Sequence, residues 1–157
     1  MKRHLKFWGW GYDDTVLSAQ EISTLEAFYA KQFGVGSYQV DATPRAEEIT
    51  LRAPRIAVPS ALAQICTTDH YERLLHSYGK SFFDTVRAFA RDFSNPPDVI
   101  ALPRNEQDVV DVVDWAHRAN AVVIPFGGGS SVVAGTEPPK NDVRPVVMLN
   151  LRHLDKV

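Results

Sequence analysis

The sequence predicts an α+β protein, with a mainly helical region over residues 1–94 and a strand–helix–strand unit over residues 95–157. Three observations predict it. Apolar residues recur at helical spacing in several segments before residue 94. Asn95-Pro96-Pro97 then forbids helix continuation and marks an internal boundary. Beyond it, uncharged runs rich in β-branched residues flank a single amphipathic segment. With 45% hydrophobic and 23% charged residues, the chain has the composition of one ordinary globular domain rather than a disordered tail.

Residues 1–17 hold Trp8 and Trp10 among Gly and Asp turn signals, and are expected to form an irregular arm whose aromatics pack on the rest of the fold. Ser18 and Glu21 form a capping-box pair, Ile22, Leu25, Phe28, Tyr29 and Phe33 follow at helical spacing, and Gly34 ends the run. Residues 34–59 predict a meandering connection, with Ile49-Thr50-Leu51 as a short strand-like piece. A short helix is expected after Pro59, from Ser60 to Cys66, and another from Asp69 to Ser77 with Gly79 beyond its end. Ser81 and Asp84 open a further helix, expected to turn Phe82 or Phe83, Val86, Phe89 and Phe93 inward.

After the prolines, Asp98 to Leu102 predicts a strand. Asn105 is a suitable N-cap, Glu106 and Asp108 suit the positive end of the helix dipole, and Val109, Val110, Val112, Val113 and Ala116 form a stripe, with Trp115 on the core face. The helix should end near Ala119, with Asn120 in a left-handed cap. Ala121 to Pro125 has the pattern of a buried strand, so strand, helix and strand over residues 98–125 imply parallel pairing with a right-handed crossover. Val146 to Leu151 supplies a third strand, whose open edge or face would favour self-association.

Charge and cysteine content narrow the function. Seventeen Lys and Arg stand against nineteen Asp and Glu, a net charge of −2 without the basic surplus of a nucleic-acid binder. Met1-Lys2-Arg3-His4 leads into Trp, Gly and Asp rather than an apolar stretch, so no secretion signal is expected. The longest apolar runs fall far short of the roughly 20 residues of a membrane helix, so no membrane span is expected. Cys66 is the only cysteine, and a cytoplasmic location is expected. Cys66 lies among apolar neighbours as a buried, inert thiol, and the five histidines show no metal-ligand spacing, His76 included, for which packing is expected.

The feature that carries chemistry is Pro125-Phe126-Gly127-Gly128-Gly129-Ser130-Ser131, placed after a buried strand. Consecutive glycines let several backbone N–H groups converge on one anion, and the serines can add hydroxyl donors. The loop has neither the Gly-Lys-Ser/Thr of a Walker loop nor a G-x-G-x-x-G opening into a helix. Its nearest cations in sequence, Arg118 and Arg144, are remote, which suits a diphosphate within a cofactor better than a free triphosphate. The triplet alone fits a plain surface turn equally well.

Wider segments carry a resemblance. Pro96-Pro97-Asp98-Val99-Ile100, Glu106-Gln107-Asp108-Val109-Val110 and Ile124 to Val132 resemble the opening of the vanillyl-alcohol-oxidase, or PCMH-type, FAD-binding domain. Within it they are most similar to the alkyl-dihydroxyacetonephosphate synthase and glycolate-oxidase-like group. Upstream, Trp8-Gly9-Trp10-Gly11 and His76-Ser77-Tyr78-Gly79-Lys80-Ser81 resemble segments of the synthase branch. The resemblance implies that Pro125, Phe126, Gly127, Gly128, Gly129, Ser130 and Ser131 bind the FAD pyrophosphate. It also implies that FAD is held non-covalently, because Gly129 stands where flavin-linked members carry histidine. Members of the group either oxidise 2-hydroxy acids or exchange acyl for alkyl on a phosphorylated substrate, and their deciding residues lie far downstream, so the catalytic residues and the small-molecule substrate stay unknown. The chain is accordingly expected to be the N-terminal part of a longer enzyme, inactive and weakly FAD-retaining by itself. The alternative is a self-standing, non-enzymatic module that keeps the loop as structure or for another phosphorylated ligand.

Overall fold

The computed structural model describes residues 3–36 and 41–155. Its centre is a four-stranded sheet formed by β1 (Cys66–Thr67), β2 (Val99–Ala101), β3 (Val122–Phe126) and β4 (Val146–Asn150), in the order β1-β2-β4-β3. β4 pairs in parallel with β2 on one side and β3 on the other, bringing Ile100, Met148 and Ile124 into line, while β1 joins β2 antiparallel. All five residues of β4 are buried, as expected of a parallel strand covered on both faces. The third strand therefore lies inside the sheet, where its N–H and C=O groups are paired, and it offers no open edge for self-association.

The described residues contain four α-helices: α1 (Ala19–Phe33), α2 (His70–Leu75), α3 (Phe82–Phe89) and α4 (Glu106–Arg118). Helix α4 links β2 to β3 and buries Val112, Trp115 and Ala116 against Val99, Ala101, Val147 and Leu149. Its stripe is narrower than expected, since Val110 and Val113 fall on the solvent side. Asn105 caps its start by accepting from the Asp108 N–H, and Asn120 beyond its end is left-handed at φ 51°. The opposite sheet face carries Ile100, Ile124, Phe126, Val146 and Met148. A separate cluster joins the N-terminal arm to α2 and α3, through Phe7, Ile49, Leu74, Leu75, Tyr78, Ala88 and Phe93.

The first 94 residues contain less helix than expected. Pro59 is followed by one 3-10 turn, Ser60–Leu62, after which Cys66 leaves the helical path and pairs with Ala101. Ile49 is buried but finds no strand partner, so Ile49 to Leu51 remains irregular. The inward face of α3 differs in its first half: Phe82 and Phe83 are more than three-quarters exposed, Val86 is exposed and Asp84 and Ala88 are buried instead, while Phe89 is half-buried and Phe93 beyond the helix is buried as expected. The capping box explains the phase. The Asp84 carboxylate accepts from the Ser81 N–H and from Arg87, so it enters the interior fully satisfied, and the two phenylalanines at the start of the helix turn outward.

Buried charge joins the regions on either side of the expected 94/95 division. Asp98 is wholly buried at the start of β2, accepts from the backbone N–H groups of Val146 (2.7 Å) and Arg55 (2.8 Å), and pairs with Arg52 and Arg55. Burial pushes this carboxyl up, but the hydrogen bonds from Arg55, Arg52 and Val146 outweigh it and hold it well below the usual carboxylate range. Buried Arg73 of α2 donates to the carbonyl oxygens of Pro97 and Arg52, each at 2.8 Å.

Candidate functional site

The glycine loop leaves the sheet at the carboxyl ends of the parallel strands β3 and β4, which is where ligands settle in open sheets of this kind. β3 is an outer strand, so Pro125 sits in it without costing a ladder hydrogen bond. Phe126 closes the strand with its side chain turned into the protein and its carbonyl accepting from the Leu151 N–H at 2.9 Å. Pro125 and Phe126 thus shape the loop, whereas Gly127, Gly128 and Ser130 are exposed.

Among the described residues, none of the backbone N–H groups from Gly127 to Ser131 has an acceptor. Nothing lies within 4 Å of where a side chain would begin at Gly127 or Gly128, so this stretch presents bare backbone to an open space. Gly129 differs, since it is buried at φ +68° and a Cβ there would collide with the Phe126 ring. The Ser131 carbonyl accepts from the Lys80 N–H at 2.7 Å and abuts Gly79, where a Cβ would strike it. Gly79, expected only as a helix stop, is therefore required by close contact with the loop. The Ser131 hydroxyl oxygen accepts from the N–H groups of Gly135 (2.9 Å) and Val133, which bends the chain back and leaves the hydroxyl hydrogen for another acceptor.

This donor set fits a phosphate-bearing group: successive N–H groups lack acceptors, with no side chain at Gly127 or Gly128 and no carboxylate in the loop. The neighbouring cations contribute little. Arg144 is engaged by Asp142 in an exposed pair, and Arg118 lies on the outer face of α4. Lys80 is mostly buried, donates to the Lys6 carbonyl at 2.7 Å, and is pulled down to about 8 by that burial.

Beneath the loop lies His76, completely buried, its ring 4.2 Å from that of Phe126. Nδ1 is 2.7 Å from the Glu72 carbonyl and Nε2 is 2.7 Å from the Asn150 amide nitrogen. His76, expected to serve packing, is hydrogen-bonded at both ring nitrogens, and its partner Asn150 lies 74 residues away, a separation closed only where the end of α2 meets the end of β4. The aromatics of the arm do pack on the parent fold, with Phe7 edge-on to Tyr71 and Phe93, Trp8 edge-on to Phe89, and the Trp10 indole N–H donating to the Lys80 carbonyl. Cys66 is half-buried, and burial pushes its thiol up to about 11, away from the reactive thiolate. No group of three His, Cys, Asp or Glu among the described residues is placed to hold a metal, and no described helix is long and apolar enough to cross a membrane.

Residues 97–157 match the family model described as an FAD binding domain. Residues 97–157 thus carry an FAD-binding domain of the PCMH-type FAD-linked oxidase kind. The chain is 33% identical over 134 residues to an alkyldihydroxyacetonephosphate synthase of Trypanosoma brucei brucei, covering 78% of this chain and 22% of that protein. A synthase of the same name from Dictyostelium discoideum is 39% identical over 89 residues, 57% of this chain and 14% of the relative. A mitochondrial D-lactate dehydrogenase [cytochrome] of Arabidopsis thaliana is 30% identical over 77 residues, 49% of this chain and 12% of that protein. A solved alkyldihydroxyacetonephosphate synthase structure superposes with a TM-score of 0.80 at 28% identity, covering 98% of this chain and 33% of the other. The chain spans less than a quarter of the length of the curated relatives it matches.

Proposed function

We propose that the stretch from Gly127 to Ser131 binds the pyrophosphate of FAD, without a covalent link, in an enzyme of the alkyldihydroxyacetonephosphate synthase type. The observation that carries this reading is the run of backbone N–H groups without acceptors, with Gly127, Gly128 and Ser130 exposed, at the carboxyl ends of two parallel strands. A diphosphate spreads its negative charge over several oxygens, so it can accept from such a row at once, and charge-assisted hydrogen bonds are about twice as strong as neutral ones. FAD, when bound, would supply the reactive ring system, and the residues from Gly127 to Ser131 would hold its phosphates. Non-covalent attachment is supported by Gly129, which offers no nucleophilic side chain and whose Cβ position is already filled by Phe126. The synthase type is favoured over the dehydrogenase because the synthase match runs over 78% of this chain and the dehydrogenase match over 49%.

Titration with FAD and ADP, followed by quenching of flavin fluorescence and by calorimetry, tests the reading. In the Gly128→Asp variant a carboxylate enters the nest, and affinity for both ligands is expected to fall by at least about a hundredfold, a loss of ~3 kcal/mol. Equal affinity in wild type and Gly128→Asp would place the pyrophosphate elsewhere. Release of free FAD on denaturation checks the non-covalent link.

A further inference from the structure

His76 belongs to a closed circuit of hydrogen bonds. Its Nδ1 faces the Glu72 carbonyl, which can only accept, so Nδ1 carries the proton and Nε2 must accept. The Nε2 partner is the Asn150 amide nitrogen, and the Asn150 oxygen is already engaged by the Arg152 N–H at 2.9 Å, which sets the orientation of the amide. The Arg152 guanidinium reaches back to the Glu72 carboxylate at 2.8 Å and closes the circuit. The ring is neutral as well as oriented: burial lowers it to about 4, with the Glu72 carbonyl and carboxylate drawing it up and Arg152 and Lys80 drawing it down.

Above this ring the order is His76, Phe126, Gly129. Phe126 lies between the imidazole and the one glycine of the triplet that is buried and left-handed. Gly129 approaches the phenyl ring too closely to admit a Cβ, so the placement of that ring limits where the middle of the N–H row can lie. An aliphatic side chain would fill the same volume, yet this position holds a buried polar ring with both nitrogens satisfied, tying α2 to the end of β4.

We infer that His76 is a positioning residue for the glycine loop: locked by Glu72, Asn150 and Arg152, it holds the Phe126 ring under Gly129 and so keeps the N–H groups in their binding arrangement before the ligand arrives. This rests on the reading of the loop as the pyrophosphate site. Its physical content is preorganisation, because a loop already held in its bound form loses less freedom when the diphosphate docks.

The test compares two buried residues at the end of α2, Leu74 within it and His76 just past it. His76→Leu keeps the bulk but removes both hydrogen bonds. Leu74→Ala opens a cavity in the separate cluster around Phe7 and Tyr78, away from the loop. His76→Leu is expected to weaken FAD and ADP binding by about tenfold and to shift the Gly129 amide resonance in the ligand-free protein. His76→Gln, which can still donate to Glu72 and accept from Asn150, should recover most of the affinity. Leu74→Ala should leave affinity within about twofold of wild type even at an equal loss of thermal midpoint. Affinity losses that track thermal midpoint alike in both variants would overturn the inference, as would an unmoved Gly129 resonance in His76→Leu. Should His76→Leu fail to fold, the wild-type imidazole nitrogens decide by their NMR signature: a neutral ring protonated at Nδ1 at neutral pH supports the circuit, and a charged ring or the other tautomer refutes it. Unchanged FAD binding in Gly128→Asp would instead refute the pyrophosphate reading, and the ligand-free Gly129 resonance reports on the support separately.

Discussion

Strand β4 and helix α1 are both strongly apolar, yet β4 buries all five of its residues and α1 buries none. β4 lies between two parallel neighbours, with α4 over one face and the end of α2 over the other. The apolar residues of α1, including Ile22, Leu25 and Phe33, border a groove of about 720 Å³ that also touches Trp8, Val16 and Leu17 of the arm. Helix α1 is held by its ends, through the Ser18–Glu21 capping box and left-handed Gly34, rather than by a core. The difference teaches that an apolar period marks a face capable of burial, while burial itself depends on what arrives opposite.

Substitutions that put a charge into each region test this contrast. The largest effect is expected for Met148→Asp, which strands a carboxylate in the middle of the sheet: unfolding followed by circular dichroism in urea should show a loss above about 4 kcal/mol, or no folded protein at all. Asp98→Asn comes next. It removes a charge instead, leaving the part-exposed Arg52 and Arg55 facing a neutral, wholly buried side chain, and a loss of about 2 kcal/mol is expected from the same measurement. The smallest belongs to Leu25→Asp, at 40% exposure on α1, which should change stability by no more than about 0.5 kcal/mol. A cost for Leu25→Asp approaching that for Met148→Asp would break the comparison, since α1 would then be packed as deeply as β4.

Much of the fold and of the candidate site is legible along the chain. The capping pairs at Ser18, Asp69, Ser81 and Asn105 each start a helix, and each works through atoms three residues apart. The uncharged runs at residues 121–125 and 146–151 form strands, and the glycine loop follows the first of them. What escapes is the result of contacts between distant residues. Asp84 faces inward and Phe82 outward because the buried carboxylate finds Ser81 and Arg87, with Arg87 in turn held by Glu137 fifty residues away at 2.6 Å. Cys66 and Thr67 become a strand only because β2 offers an edge, and two residues carry no period to detect. The roles of His76 and Gly79 are invisible in their own segment, for both act on a loop some fifty residues later in the chain.

By itself, then, the sequence determined the local decisions: where helices start, which runs extend, and that bare backbone runs from Gly127 to Gly129. These follow from short-range sterics and hydrogen bonds that a few neighbouring residues satisfy among themselves. Tertiary structure alone decided which apolar faces are covered, that β4 takes the centre of the sheet, and that a buried imidazole supports the loop. Those outcomes depend on burial and on pairing across long separations, where the free energy of each group is set by the partner that reaches it.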